Sequence, residues 1–304
     1  MTTNLAASVH QRLLSYARAA DRPFNEVLQR FVLERFLYRV GHSLYARRFV
    51  LKGAMMLTAW QVPFARPTRD IDLLGRMENS VEQVVSAVEA ICQEAVPDDG
   101  LRFDAASIVG ERIVETADRA GVRVRFIAHL GNARIPMRID VGFGDPLVPG
   151  SSLVRLPAIL DFPPPELQGY SRESAIAEKY HAMISLGQLN SRMKDFYDIW
   201  SLTTHFSFEG PILAQAISKT FHSRGNSLSL HPTAFSNAFA GAREKQIQWD
   251  AFRRRLLRED TPATLREVVQ AVASFLGPVT EALVTGQPFQ QRWEPSSGWL
   301  PLDK

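Results

Sequence analysis

The chain has 304 residues, 45% of them apolar, with one cysteine (Cys92) and a formal net charge of +3. That much apolar sequence can fill one large core or two ordinary ones without staples. A lone cysteine excludes an internal disulfide and a cysteine-based zinc site. No run reaches the ~18 uninterrupted apolar residues of a membrane span, and the amphipathic start lacks a signal peptide's apolar run. The expectation is a cytoplasmic protein with no membrane partner. The small net charge gives no general affinity for nucleic acid, although a pI near 9.1 permits a local basic surface.

In chain order, residues 5 to 19 and 23 to 46 read as helices, the second opening at Pro23 with apolar positions at Phe24, Val27, Leu28, Phe31, Val32 and Leu33. A strand at 49 to 51, a Lys52-Gly53 turn and a helix at 54 to 60 follow. Then come a strand at 69 to 75 and a helix at 80 to 95, opened by the capping pattern Ser80-x-x-Gln83. Strands are predicted at 101 to 105, 122 to 129 and 135 to 142, extending the same sheet. The breaker-rich stretches Asp145 to Ser152 and Asp161 to Glu166 mark loops or the domain crossing. From about 172 the pattern is mainly helical, and residues 286 to 304 read as a polar tail that frays. No internal repeat or low-complexity tract is present. The fold expected is α+β, with a helical preface (1–46), a mixed-sheet α/β lobe (47–160) and a mainly helical C-terminal lobe (161–304).

The chemistry concentrates in Arg69-Asp70-Ile71-Asp72-Leu73-Leu74. On a strand, period-two alternation puts Asp70 and Asp72 on one face and Ile71 and Leu73 on the other. Two carboxylates held that close repel, and a hard divalent cation such as Mg²⁺ relieves them while leaving places for substrate phosphates. A solvated strand face is the alternative for an isolated Asp-x-Asp. The Gly53 turn and helix just upstream present backbone N–H groups suited to a triphosphate, or serve only to turn the chain. The seven histidines lack metal spacing, and neither a Gly-x-Ser-x-Gly elbow nor a Walker-type loop is present.

Four segments in order carry a resemblance. Lys52-Gly53-Ala54 followed by Arg66-x-Thr68-x-Asp70-x-Asp72 resembles the nucleotidyltransferase signature of the AbiEii/AbiGii-type toxins. These include the MenT toxins and belong to the DNA polymerase β-like superfamily. Arg138 to Asp145 is similar to the strand with the third carboxylate, Asp140. Glu173 to Tyr180, and Arg192-x-Lys194-Asp195-Phe196-Tyr197-Asp198, are similar to the family's helical Lys and Lys-Asp-Phe-Tyr-Asp motifs. The resemblance covers roughly residues 30 to 205. Where members often have Gly-Gly or Gly-Ser at the turn, this chain has Gly53-Ala54-Met55, which leaves Thr68 as the nearest hydroxyl that can compensate.

The resemblance implies a nucleotidyltransferase that moves NMP from NTP to an RNA acceptor, a tRNA 3′ end, arresting translation under the control of a cognate antitoxin. A protein hydroxyl or small molecule is the alternative acceptor, and a catalytically idle nucleotide- or RNA-binding module the alternative class. By the same resemblance Asp70, Asp72 and Asp140 hold two Mg²⁺ ions. Lys52, Gly53, Ala54, Arg66, Thr68, Lys179 and Asp198 bind nucleotide, and Asp195 joins Lys179 in catalysis, in a protein acting as a monomer. From the residues alone, Lys179 is either a phosphate-binding point charge or a solvated helix residue. Lys194, Asp195 and Asp198 either orient Lys179, contact nucleotide, or pair with Arg192 at a helix start. Phe196-Tyr197 and Trp200 read as core aromatics and Cys92 as core filling. Arg47, Arg48, Arg66, Arg69, Arg123, Arg125, Arg134 and Arg138 suit charge-assisted contacts to polyphosphate or a nucleic-acid backbone, and the last four an RNA-binding surface. Alternatively Arg123 and Arg125 pair with Glu111 and Glu115. A late run, Arg253, Arg254, Arg255 and Arg258, reads as a solvated helix face.

Overall fold

The computed structural model describes residues 5–63, 65–116, 119–256 and 260–302; Arg258 and the side chain of Glu115 lie outside the described residues. The chain is α+β and divides into two compact units, residues 1–145 with 151–170, and residues 146–150 with 171–304.

The first unit opens with helices α1 (Leu5–Ala19) and α2 (Phe24–His42). Pro23 precedes α2 with φ fixed at −56°, ready for the first turn. The helix stops at His42 rather than near 46. Ser43 turns extended and its hydroxyl donates to Val40 O while accepting from Tyr45 N, a local alternative to further helix. Then follow β1 (Phe49–Lys52), α3 (Ala54–Ala59), β2 (Asp70–Gly75), α4 (Val81–Cys92), β3 (Leu101–Thr116), β4 (Arg119–Leu130), β5 (Ala133–Phe143), β6 (Ser152–Arg155) and β7 (Glu166–Gly169). Ser80 caps α4 by accepting from Gln83 N, whereas the Gln83 side chain turns to Glu78 instead of completing the box.

The strands form one mixed sheet in the order β3-β4-β5-β2-β1-β7-β6, with β2 parallel to β5 and β1 parallel to β7. β3 runs well past the predicted 105. A register shift between Asp104 and Val109 absorbs the extra residues, and there the Ser107 hydroxyl donates to Asp104 O and accepts from Ile127 N. β4 from Val122 and β5 as far as Val141 alternate. Val122, Val124, Phe126, Ile135, Met137, Ile139 and Val141 are buried, where Phe126 meets Phe36 of α2 and Phe103 of β3. The intervening residues point to the other face, which carries the charged groups.

In the second unit come α5 (Arg172–Leu186), α6 (Met193–His205), β8 (Phe208–Glu209), α7 (Gly210–Ser223), α8 (Asn237–Gly241), α9 (Arg243–Leu256), α10 (Leu265–Thr285), β9 (Gln291–Glu294) and β10 (Gly298–Pro301). α10 is long and apolar enough to cross a membrane by composition, yet here Val268, Val272, Phe275, Leu276 and Val279 are core residues. The expected fraying tail is instead a hairpin that joins β8 in a three-stranded sheet. Trp293 and Trp299 pack with Phe275, and their indole N–H groups donate to Thr203 O and Phe275 O.

Candidate active site

Pairing register assembles the charged face of the first unit's sheet. Lys52 stands opposite Asp72, Asp72 opposite Asp140, Asp140 opposite Arg123, and Arg123 opposite Glu111, giving one row across β1, β2, β5, β4 and β3. The adjacent row places Asp70 opposite Arg138 and Arg138 opposite Arg125. Directly paired residues share a face, so three carboxylates from two parallel strands lie side by side.

The two guanidiniums among them are not spectators. Arg123 donates to Asp140 in a two-pronged contact, Nε to Oδ1 at 2.7 Å and Nη2 to Oδ2 at 2.8 Å, and Arg138 donates to Asp70 Oδ2. Asp140 strengthens the hold of Arg123 on its proton, through this hydrogen bond first. Asp70 is held above the usual carboxylate range. Burial is the main cause, and Asp72 and Asp140 add to it against the opposing pull of Arg138. Arg125 pairs with Glu111, so that half of the alternative reading describes its contact, while Arg123 is engaged by Asp140 rather than by Glu111.

Asp72 is half-buried, and its side chain makes no hydrogen bond among the described residues. Its carboxylate rests against the turn before α3. Gly53 sits at φ +70°, and a Cβ there would come within 2.0 Å of Asp72 Oδ2, so only glycine admits this approach. The ammonium of Lys52, the residue before it, is buried and donates to Asp145 Oδ2 at 3.2 Å. Ala54 is buried at the start of α3. The Thr68 hydroxyl accepts from Asp70 N and donates to Asp70 O, so it fixes the start of β2. Arg66 is half-buried in the irregular segment before it.

Among the described residues no three His, Cys, Asp or Glu side chains converge into a ready metal cage. The donor chemistry nevertheless suits a hard cation. All three groups are carboxylates on one face, Asp72 has its oxygens uncommitted to hydrogen bonds, and the Gly53 turn admits its carboxylate close to the backbone. Asp70 and Asp140 would have to share oxygens with their arginines or exchange them.

The second unit holds the other predicted residues. Lys179 on α5 donates to Asp198 Oδ2 at 2.6 Å and to Asp195 Oδ1 at 3.3 Å, both on α6, and Arg192 Nε reaches Asp195 Oδ2 at 2.6 Å. Two of the three alternatives raised for these residues thus coexist: the aspartates hold Lys179, and Asp195 also pairs with Arg192 at the helix start. Burial drives Asp195 upward, but Lys179 and then Arg192 outweigh it and hold the carboxyl below its ordinary range. Lys194 is exposed, and Phe196 and Tyr197 are core residues.

Sequence reasoning missed the partners: Asp145 for Lys52, and Arg123 and Arg138 for the carboxylates. Strict alternation of Arg123 and Arg125 with valines put both on the polar face. Only the register, absent from any local pattern, shows that Arg123 falls opposite Asp140.

With this geometry in place, comparison with known proteins gives a consistent result. The family model described as "Nucleotidyl transferase AbiEii toxin, Type IV TA system" matches residues 35–273. Among curated proteins none matches the sequence. The fold is similar to MenT4, a nucleotidyltransferase toxin from Mycobacterium tuberculosis H37Rv, at 16% identity and a TM-score of 0.50, covering 94% of this chain and all of that one. JHP933 from Helicobacter pylori aligns at 14% identity with a TM-score of 0.44, over 83% of this chain and 89% of that one. The chain belongs to the AbiEii family of toxin–antitoxin nucleotidyltransferases, enzymes that transfer NMP from NTP.

Proposed function

We propose that this enzyme is a Mg²⁺-dependent toxin that transfers NMP from NTP to an RNA acceptor, a tRNA 3′ end, and so blocks translation. The observation that carries the catalytic reading is the placement of Asp70, Asp72 and Asp140 on one face of two parallel strands, with Asp72 lodged against the Gly53 turn. Asp70, Asp72 and Asp140 would hold two Mg²⁺ ions, and bound Mg²⁺ supplies charge neutralisation to the reacting phosphates and the leaving pyrophosphate.

The remaining roles fall to the chain itself. The Lys52-Gly53-Ala54 turn receives phosphate through its backbone, its shape fixed by the Lys52–Asp145 pair. Arg66 and Thr68 shape the approach to Asp70. Asp140 also helps activate the attacking hydroxyl. Lys179, which donates to Asp195 and Asp198, is a phosphate-binding cation, and the two aspartates aim it. The RNA acceptor rests on the family resemblance. A cognate antitoxin is the partner a type IV system implies, and we take the enzyme to act as a cytoplasmic monomer.

The test incubates purified protein with each α-labelled NTP, Mg²⁺ and total RNA, and then locates the label. Label on a tRNA 3′ end, lost in Asp72→Asn, is the expected result. Label on protein or on a small molecule would replace the acceptor while keeping the chemistry, and an absence of pyrophosphate release with any NTP would overturn the catalytic reading.

A further inference from the structure

We infer that Arg123 and Arg138 are built-in counter-cations of the acidic site, which compete with a divalent metal ion for Asp140 and Asp70 and thereby weaken its binding. The inference rests on the proposed metal-site reading and concerns what sets the affinity of that site.

Three carboxylates crowd one sheet face, and a folded protein must neutralise them. This chain does so from within. Arg123 and Arg138 come from the two strands flanking the acidic positions in register, one opposite Asp140 and one opposite Asp70. Each guanidinium uses the oxygens a metal ion would need, and Arg123 occupies both oxygens of Asp140 at once. Asp72 is left without a hydrogen bond among the described residues, so the acidic trio is neutralised at its two flanks and open at its centre. A cation arriving at Asp72 can complete its coordination only by sharing or displacing the oxygens of Asp70 and Asp140. An opposite charge within ~4–6 Å lowers the affinity of a carboxylate for a proton by about tenfold or more, and a metal ion competing for the same oxygens meets the same opposition. Arg125 provides the control. It lies on the same strand and face as Arg123 but pairs with Glu111, so its charge is spent outside the trio.

The test measures Mn²⁺ affinity of the full-length protein without nucleotide, by calorimetry and by loss of the free-ion EPR signal, for wild type, Arg123→Gln, Arg138→Gln, Arg125→Gln and Asp72→Asn. Arg123→Gln and Arg138→Gln are each expected to tighten Mn²⁺ binding by about tenfold, and Arg125→Gln by less than about twofold because its charge is partnered and screened. Arg138 is 41% exposed in its side chain, so its variant folds without a buried gap and keeps the test open if Arg123→Gln is poorly soluble. Unchanged or weaker Mn²⁺ binding in both glutamine variants, with wild-type binding intact, would overturn the counter-cation role alone. Wild-type binding that is absent, or indifferent to Asp72→Asn, would overturn the metal-site reading beneath it.

Discussion

Asp72 and Asp145 are both acidic and both beside the Gly53 turn, yet they should answer oppositely to substitution. Asp72 makes no hydrogen bond among the described residues and stands among like charges, so Asp72→Asn removes repulsion and no contact. The expected outcome is a thermal midpoint no lower than that of the parent and NMP transfer reduced by at least about 100-fold, measured by calorimetry and by pyrophosphate release. Asp145 instead faces the Lys52 ammonium, with both side chains buried. Asp145→Ala leaves that charge buried against fewer partners and is expected to cost about 3 kcal/mol in urea unfolding. A variant as stable as wild type would show that the pair holds nothing. The contrast also marks how far the sequence speaks about the site. Asp70-x-Asp72 announces itself because its spacing matches the strand period, while Asp145 meets Lys52 across 93 residues of chain, a distance no local pattern spans.

At the scale of elements, the turn before α3 and the helix α2 carry the sharpest consequences. Gly53→Ala requires a left-handed backbone and pushes Asp72 aside, so we expect a loss of about 1–2 kcal/mol from the backbone and a far larger proportional loss of transfer, read by comparing the unfolding curve with the rate. Equal, small effects on both would detach the turn from the site. α2 is buried on every side from Phe31 to Val40, including Glu34, Arg35 and Arg39. Arg35 and Arg39 converge on buried Asp99, whereas Glu34 accepts one N–H from Ile159 and is pushed by burial up to about 7 from 4.5. Between those two pH values the folded state binds more protons than the unfolded chain, so stability falls as pH rises through this window, by about 3 kcal/mol in all. Below the window the group contributes nothing, and above it the loss is complete. Glu34→Gln should flatten the pH dependence between 4.5 and 7, and curves that stay parallel would assign it to other groups. Elements with strong periodicity or caps, such as α1, α4 and the core of β4 and β5, were readable in advance. β6 and β7 were not, because four residues beside a proline-rich loop have too few positions to show a period. The β9–β10 hairpin was misread because its stability comes from Trp293 and Trp299 meeting Phe275 of α10, a contact between distant segments.

At the scale of the whole chain, the second unit includes a short piece lifted from the middle of the first unit's sequence, Pro146–Gly150. Val148 holds it in place: its N–H donates to Ser174 Oγ at 2.9 Å, and its carbonyl accepts from the Ser171 and Ser174 hydroxyls at the start of α5. Ser174 is buried, so Ser174→Ala leaves backbone groups of Val148 with fewer partners and should cost about 1–3 kcal/mol. Faster protease cleavage within 146–150 should accompany that loss. Protection equal to wild type would show that Ser174 is dispensable. The breaker-rich composition of Asp145 to Ser152 marks a loop or a domain crossing from sequence alone, but composition does not say that the segment belongs with helices that begin more than twenty residues later.

Because of that loan, the polypeptide passes between units three times, after residues 145, 150 and 170. In genetic terms the two halves of this gene are not modular. A stop codon just after residue 170 keeps every residue of the first unit but orphans Pro146–Gly150, and a coding segment begun at residue 171 yields a second unit lacking the loop segment that the start of its first helix holds through Val148. A truncation after residue 170 should therefore leave the first unit carrying an unpartnered 146–150 segment, and a shuffled exchange of either half with a relative needs two junctions around residues 146–150 as well as one near 170.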